Sequence, residues 1–380
     1  MTSDEGRRDG GSRPASRRGR RRAPVAPPEA PATAGRPGPR RALPTMRDIA
    51  LASQVSQSTV SRVLNDAPTR VPIAAATRER VMLAARELGY RPNPLARGLR
   101  GAPTMLLGAV VRDITDPFFG GAIEALSVEA MARGYNVVLG HAHGRADEAL
   151  VLTAVLETRH CDTLVLLGDM QDQPRLLADL SNSLVPIVGL WQGSSPLEVP
   201  TVDVDNRAGV RAGLEHLAEL GHERIAFVGG RLLGDIRERQ AAYAEFMIER
   251  FGRIPDGYIQ HVPNTPGGGE TALEALLAVD PPPTAVVTST DTLAVGVLHA
   301  AHVAGRTVPD DLSVVGFDDI LLASHTVPAL TTLRMPTAEI VRAGVERAIA
   351  LTRGGTGPGE PQVEIIQPSL VVRRSTAPPG

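Results

Sequence analysis

The sequence contains no lysine, so all 40 of its basic side chains apart from histidine are arginines, planar and permanently charged. The absence itself reads as a bias of base composition rather than a functional device. Cysteine is almost as scarce. Cys161 stands alone, which excludes a disulfide framework and any cysteine-rich zinc site. Aromatic residues make up 3% of the 380 positions and include one tryptophan, Trp191, so a stacking surface has few rings to draw on. No apolar run approaches the length of a membrane span, and the N-terminus has no apolar segment of signal-peptide type. A soluble, cytoplasmic protein without membrane association is expected. Catalytic signatures are missing as well. No G-x-S-x-G, Walker A or dinucleotide-type glycine motif stands at a strand-to-helix turn, and "PGGGE" (266–270) lacks the lysine and hydroxyl that phosphate chemistry needs. His141 and His143 lack carboxylates at H-E-x-x-H spacing, and both read more readily as surface loop residues than as ligands. No catalytic residue, metal or cofactor is expected.

What the chain does have is a polarised charge distribution. Residues 1–45 carry 11 Arg against 4 acidic side chains, and residues 46–101 carry 9 against 4. The remainder carries 20 against 34, which brings the whole chain to a net charge of −2. A basic front suits a polyanion, and an acidic body disfavours unspecific adhesion to the same polyanion. Residues 1–44 hold eight prolines and arginine runs such as "RRGRRR" but no aromatic residue. Such a segment cannot bury enough surface to fold, and it is either a basic arm that adds DNA affinity or a passive extension.

Order is expected to begin at "TMRDIALASQVSQSTVSRVLN". Thr45 followed by Asp48 is a capping-box pattern, and Ile49, Ala50 and Ala52 give a short first helix a small apolar face. Val55 is the inward residue of a tight turn, and Ser56 is suited to cap a second helix. In that second helix Val60, Val63 and Leu64 share one face while Gln57, Ser58, Ser61 and Arg62 point elsewhere. A third helix over "ATRERVMLAARELGY" places Val81, Ala85 and Leu88 inward. Three short helices on a basic surface make a helix-turn-helix headpiece, assigned to residues 45–91. Residues 92–101, rich in proline and glycine, form a connector, and 102–380 form the body.

In the body, "MLLGAVV", "YNVVLGHA", "DTLVLLG", "PIVGLW", "RIAFVGG", "TAVVTST" and "LSVVGFDD" are apolar runs of buried parallel-strand type separated by helical segments. The expected fold is therefore an all-α headpiece followed by an α/β body of two doubly wound parallel-sheet lobes, with crossings near residues 204, 333 and 360. Ligands of open α/β sheets bind beyond the carboxyl ends of the strands. That rule selects Asp116, Phe118, Phe119, His141, His143, Asp169 and Trp191 from the first lobe. From the second it selects Arg239, Thr290, Asp291 and Asp318. Trp191, the one tryptophan, is the natural aromatic plate for the apolar face of a ligand ring.

The motifs "RDIALASQVSQSTVSRVLN", "TRERV", "ELGYRPNPLARGLR", "DITDPFF", "VDVDN" and "VPDDLSVVGFDD", in that order over nearly the whole chain after the tail, resemble the lac-repressor (LacI/GalR) family of bacterial transcription regulators. The resemblance implies a body of periplasmic-binding-protein type. It also implies a homodimer on a near-palindromic double-stranded DNA operator, with operator affinity set by a small effector, most readily a sugar or sugar derivative. Its second helix would lie in the major groove, with Gln57, Ser58 and Arg62 against base edges, since Arg pairs with guanine and Gln with adenine. Ser56, Thr59, Ser61, Asn65 and Thr77 would contact phosphates and fix register. The connector would be a hinge helix that puts Leu99 and Arg100 at the minor groove, or else a plain tether. Arg239 and Asp318 match positions at which relatives hold ligand hydroxyls. The regulator would act as a repressor in the cytoplasm, associated with the nucleoid. The rival reading is a transport-type sugar-binding protein with the same two-lobed body. Two departures stand out: Ser53-Gln54 replaces the usual Ala-Gly of the turn, with Gln in a position that favours positive φ, and Thr290 stands where the family more often has Asn. The segment between Asn65 and Thr77 is also longer than usual, which bears on whether Arg70 reaches a base.

Overall fold

The computed structural model describes residues 44–64, 72–90, 103–142, 145–158, 161–169, 182–183, 185–193, 199–230, 232–353 and 363–380. The expectations for the tail, Asn65, Arg70, the connector with Leu99 and Arg100, and His143 lie outside the described residues. The chain falls into two compact units, Met1–Arg91 and Pro92–Gly380.

In the first unit, α1 (Met46–Ser53) starts at a complete capping box. Thr45 accepts from the Asp48 N–H, and the Asp48 carboxylate accepts from the Thr45 backbone N–H at 2.7 Å. It stops at Gln54, which adopts a left-handed φ of 53° and donates its N–H to the Ala50 and Leu51 carbonyls. The tight turn thus holds a non-glycine residue where glycine costs least. Ser56 Oγ then accepts from the Thr59 N–H at 3.1 Å and caps α2 (Gln57–Leu64). With α3 (Ala75–Glu87) these helices enclose a core of Ile49, Ala50, Val60, Val63, Val81, Ala84 and Ala85. Two inward assignments are corrected. Leu88 is the C-cap of α3 and 40% exposed, and Ala84 takes the inner place. Ala52 is also exposed; Ser53 is buried instead, its hydroxyl donating to the Ile49 carbonyl at 2.6 Å.

The second unit carries two six-stranded sheets. The first has the order β11-β5-β4-β3-β1-β2, with β1 (Leu106–Val111), β2 (Asn136–His141), β3 (Thr163–Leu167), β4 (Ile187–Leu190), β5 (Thr201–Val204) and β11 (Val363–Ile366), all parallel. The second has the order β12-β10-β9-β8-β6-β7, with β6 (Ile225–Gly229), β7 (Ile259–His261), β8 (Ala285–Thr288), β9 (Ser313–Asp318), β10 (Thr331–Arg334) and β12 (Ser369–Val371); only the β10–β12 pair is antiparallel. Helices α4 (Pro117–Ala132), α5 (Ala146–Thr158) and α10 (Thr337–Thr352) cover the first sheet. The second is covered by α6 (Asn206–Glu219), α7 (Gly234–Phe251), α8 (Pro266–Leu277) and α9 (Asp291–Val303). The central strands are buried on both faces, as helices on two sides require.

The chain leaves the first sheet at Asp205, returns after β10 at Met335–Pro336 and crosses once more at Gln367–Pro368, beyond the residue 360 anticipated from sequence. Short strands β5, β7, β10, β11 and β12 were not among the seven apolar runs. They lie at or near the sheet edges and mix polar with apolar residues, as in Thr201–Val204 and Thr331–Arg334, so they give no continuous apolar run. Among the described residues no helix is long and apolar enough to cross a membrane.

Candidate functional sites

On the headpiece, Val60 and Val63 anchor one side of α2 in the core, and Gln57, Ser58 and Arg62 are exposed. Ser56, Ser58 and Thr59 form a hydroxyl cluster at its N-terminus, with Ser56 Oγ 2.7 Å from Ser58 Oγ and 2.8 Å from Thr59 Oγ1. These hydroxyls rotate freely enough to receive or donate, and they sit beside helix N–H groups that favour an anion. Ser61 is half-buried on α2, and Thr77 is half-buried in the first turn of α3.

In the body, the carboxyl ends of the strands face a narrow cleft between the lobes, closed down to about 10 Å³ of free space, room for about one water molecule. Strand order reverses between β1 and its two neighbours, β2 and β3, the place at which such sheets open a crevice. Asp116, Phe118, Phe119, Trp191, Arg239, Thr290 and Asp318 all line it, as do Arg112, Gly168, Asp235 and Met335. The aromatic wall is compact. Phe118 meets Trp191 edge-on at 5.1 Å and Phe119 edge-on at 5.2 Å, and the Arg112 guanidinium stands 5.1 Å from the Phe119 ring centre. Trp191 and Asp318 hold φ of 56° and 120°. Each such backbone costs on the order of 1–3 kcal/mol, and strained positions of this kind concentrate at ligand sites.

Arg239 is locked in place. Its Nε donates to Asn206 Oδ1 at 2.8 Å and its Nη1 to the Ser289 carbonyl at 2.5 Å; the guanidinium lies 3.6 Å from the Phe317 ring centre and 3.5 Å from Asp318 Oδ1. Burial raises the Asp318 carboxyl well above the usual carboxylate range, against the pull of Arg239. Asp116 is likewise raised by burial. It caps α4 through the Phe118 N–H at 3.1 Å and accepts from Asn264 Nδ2 at 3.0 Å, and Asn264 in turn receives the Thr290 hydroxyl at 2.6 Å. A chain of hydrogen bonds therefore runs from Thr290 in one lobe to Asp116 in the other.

Three residues selected from sequence sit differently. Asp291 is fully buried behind the cleft: Oδ1 accepts from the Thr332 hydroxyl at 2.5 Å and Oδ2 from the Ile320 N–H at 2.9 Å, making it a strut that ties α9 to β10 and to the loop after β9. Burial lifts its carboxyl to about 7. Asp169 is at the lobe boundary but does not line the space; Oδ2 accepts from the Gly234 N–H at 2.6 Å and so caps α7 of the opposite lobe. His141 ends β2 with Nε2 3.6 Å from Asp113 Oδ1, outside the cleft lining. Sequence reasoning missed Arg112, Asp235 and Asn264. Arg112 was within reach of it, being the first residue after the apolar run of β1.

A helix-turn-helix unit and a two-lobed body with a cleft at the strand ends define the class, a DNA-binding transcriptional regulator. The chain belongs to the lacI family of bacterial regulatory proteins. Residues 45–93 match that family's model, and residues 214–376 match a periplasmic binding protein-like domain. The chain is 34% identical over 336 residues to the HTH-type transcriptional repressor CytR of Escherichia coli (strain K12), covering 87% of this chain and 96% of that one. Among solved structures it is similar to the lac repressor dimer bound to operator and the anti-inducer ONPF, with a TM-score of 0.77, 28% identity, and coverage of 88% of this chain and 99% of that one. It is similar also to the transcriptional regulator CelR in complex with cellobiose, with a TM-score of 0.64, 30% identity, and coverage of 87% and 99%. These relatives are regulators, not enzymes.

Proposed function

We propose that the chain represses transcription as a homodimer on a near-palindromic operator and that a sugar or sugar derivative in the cleft sets its operator affinity. The observation that carries the reading is the division of α2, with Val60 and Val63 buried and Gln57, Ser58 and Arg62 exposed on the other side. A helix so divided presents hydrogen-bonding groups to base edges while its packing fixes their position. Gln57, Ser58 and Arg62 read bases, and Ser56, Thr59, Ser61, Asn65 and Thr77 hold phosphates. Leu99 and Arg100 of the connector engage the minor groove. One headpiece reads a half-site, and two-fold symmetry supplies the other. The effector packs its ring face on Trp191, among Asp116, Phe118, Phe119 and Thr290. Arg239 and Asp318 shape the floor of the cleft, while Asp169 and Asp291 act from the boundary and from behind. Bacterial cytoplasm, on the nucleoid, is the place of action. The presence of a headpiece separates this reading from a transport-type binding protein.

Gel retardation of a palindromic promoter fragment tests it. A shifted band that responds to added sugar is the expected result. Absence of any retardation at micromolar protein and low salt would overturn the DNA reading, and a shift indifferent to every sugar tried would overturn the effector reading alone.

A further inference from the structure

Among the polar groups at the cleft, most are hydrogen-bonded inside the protein, and three buried atoms are not. Arg112 Nη1, Asp235 Oδ1 and Trp191 Nε1 are buried and lack a hydrogen-bond partner among the described residues. The first two form an ion pair with each other at 3.6 Å, too far for a good hydrogen bond and close enough for one atom to bridge them. Their side chains are 13% and 11% exposed, so an unmade bond there is costly.

We propose that Arg112 and Asp235 are the pair that selects the ligand of the cleft and that the group they take between them is a hydroxyl of an uncharged polyol, not a phosphate, carboxylate or ammonium. This rests on the reading of the cleft as an effector site. The reason is the valence of the two atoms. A guanidinium only donates and a carboxylate only accepts, whereas a hydroxyl does both. Phosphate at neutral pH offers acceptors to Arg112 and meets repulsion from Asp235. Ammonium has donors for Asp235 and none of the acceptors that Arg112 needs. A hydroxyl satisfies both atoms at once.

The surroundings point the same way. Asp116, Asp235 and Asp318 line the cleft against two guanidinium groups, and that of Arg239 is already engaged by Asn206, Ser289 and the Phe317 ring. Both guanidinium groups stand beside a carboxylate, Arg112 at 3.6 Å from Asp235 and Arg239 at 3.5 Å from Asp318, so no cation among the described lining residues is left over to neutralise an anion. Trp191 Nε1, the third unpartnered atom, is a donor beside an aromatic wall, suited to a second oxygen of a ring that stacks there. Arg112 belongs to the first lobe, just past β1, and Asp235 to the first turn of α7 in the second. One hydroxyl therefore bonds to both lobes.

Calorimetry and thermal shift with D-glucose, D-ribose and cellobiose, each phosphate-free, beside glucose 6-phosphate and ribose 5-phosphate test the assignment on the full chain. The wild type is expected to bind at least one neutral sugar and to bind its phosphorylated counterpart more weakly. Asp235→Asn and Arg112→Gln should each weaken neutral-sugar binding on the order of tenfold to a hundredfold, the range for a charge-assisted hydrogen bond. Asp235→Asn should also narrow the gap between the neutral and the phosphorylated sugar. Melting without sugar reports folding separately, and Arg112→Lys repeats the test if Arg112→Gln does not fold. A phosphorylated sugar binding the wild type more tightly than its parent overturns the proposal, as do variants that bind the parent sugar within twofold of wild type. If no member of the panel binds the wild type, the effector reading fails first and this assignment with it.

Discussion

The headpiece and the body hold their functional side chains in opposite ways. On the headpiece the groups assigned to DNA stand exposed on a helix whose other side packs on a core of seven small and branched residues. In the body the cleft groups are buried, and several also bond within the protein: Arg239 to Asn206 and Ser289, Asp116 to Asn264 and the α4 N-terminus, with Asp291 behind them bonded to Thr332 and Ile320. The contrast follows from the partners. A DNA surface is met from outside and is itself highly charged, so its readers need only be positioned. A small ligand must be desolvated within a cleft, so its readers must be held by other polar groups, and stability and recognition are then carried by the same side chains.

The sharpest test of this contrast is Arg239→Ala, which leaves Asp318 buried without its cation and strands the Asn206 and Ser289 acceptors. Breaking one side of such a pair typically costs about 3–5 kcal/mol, so chemical denaturation should show a large loss of body stability even without ligand. A variant as stable as wild type would place Arg239 among purely ligand-facing groups.

The dependence of stability on pH should likewise reside in the body. Burial pushes Asp203 and Asp291 each up to about 7, well above an unfolded aspartate near 3.9. Between those values the folded body holds protons that the unfolded chain has released, so stability is fully present below about pH 4 for these two groups and falls as pH rises towards 7. Each contributes a slope of at most about 1.4 kcal/mol per pH unit. Asp203→Asn should remove the first lobe's share and Asp291→Asn the second's, read as flatter melting temperatures between pH 5 and 8. Parallel curves for wild type and both variants would show that neither carboxyl is raised.

Arg62→Ala should behave as an exposed reader does. Specific operator binding should weaken by about 1–3 kcal/mol with the unspecific, salt-dependent part nearly intact, and the melting temperature should stay within about a degree of wild type. A comparable loss of folding stability would mean that Arg62 packs as the cleft residues do. The smallest effect is expected at Gln54, where φ of 53° burdens a side chain. Gln54→Gly should stabilise the headpiece by up to about 1 kcal/mol, visible as slower amide exchange in α1 and α2, without altering which operator is bound.

Much of the headpiece is legible in the sequence because its determinants are local. The capping box at Thr45 and Asp48, the cap at Ser56 and the buried Val60 and Val63 each depend on residues within four positions of one another. The same holds for the glutamine forced into the turn at Gln54. Misreadings there, Leu88 and Ala52, lie in the last turn of a helix or on the margin of its apolar face, where periodicity alone leaves the direction open. The alternation of apolar strands and helices in the body is local too, and it was enough to assign two doubly wound lobes and to direct attention to strand ends.

What the sequence could not determine is which polar atoms at those ends remain available. Arg239 and Asp291 look like ligand groups in one dimension, yet tertiary packing brings Asn206, Ser289, Thr332 and Ile320 to them and engages their hydrogen-bonding capacity. Arg112 and Asp235, unremarked in the chain, are brought together as an ion pair at 3.6 Å from separate lobes, with neither atom hydrogen-bonded among the described residues. Local pattern decides where a helix or strand lies because its bonds close within a few residues or along one ladder. The hydrogen-bond balance of a buried side chain is decided by neighbours distant in sequence, and only the folded chain supplies them.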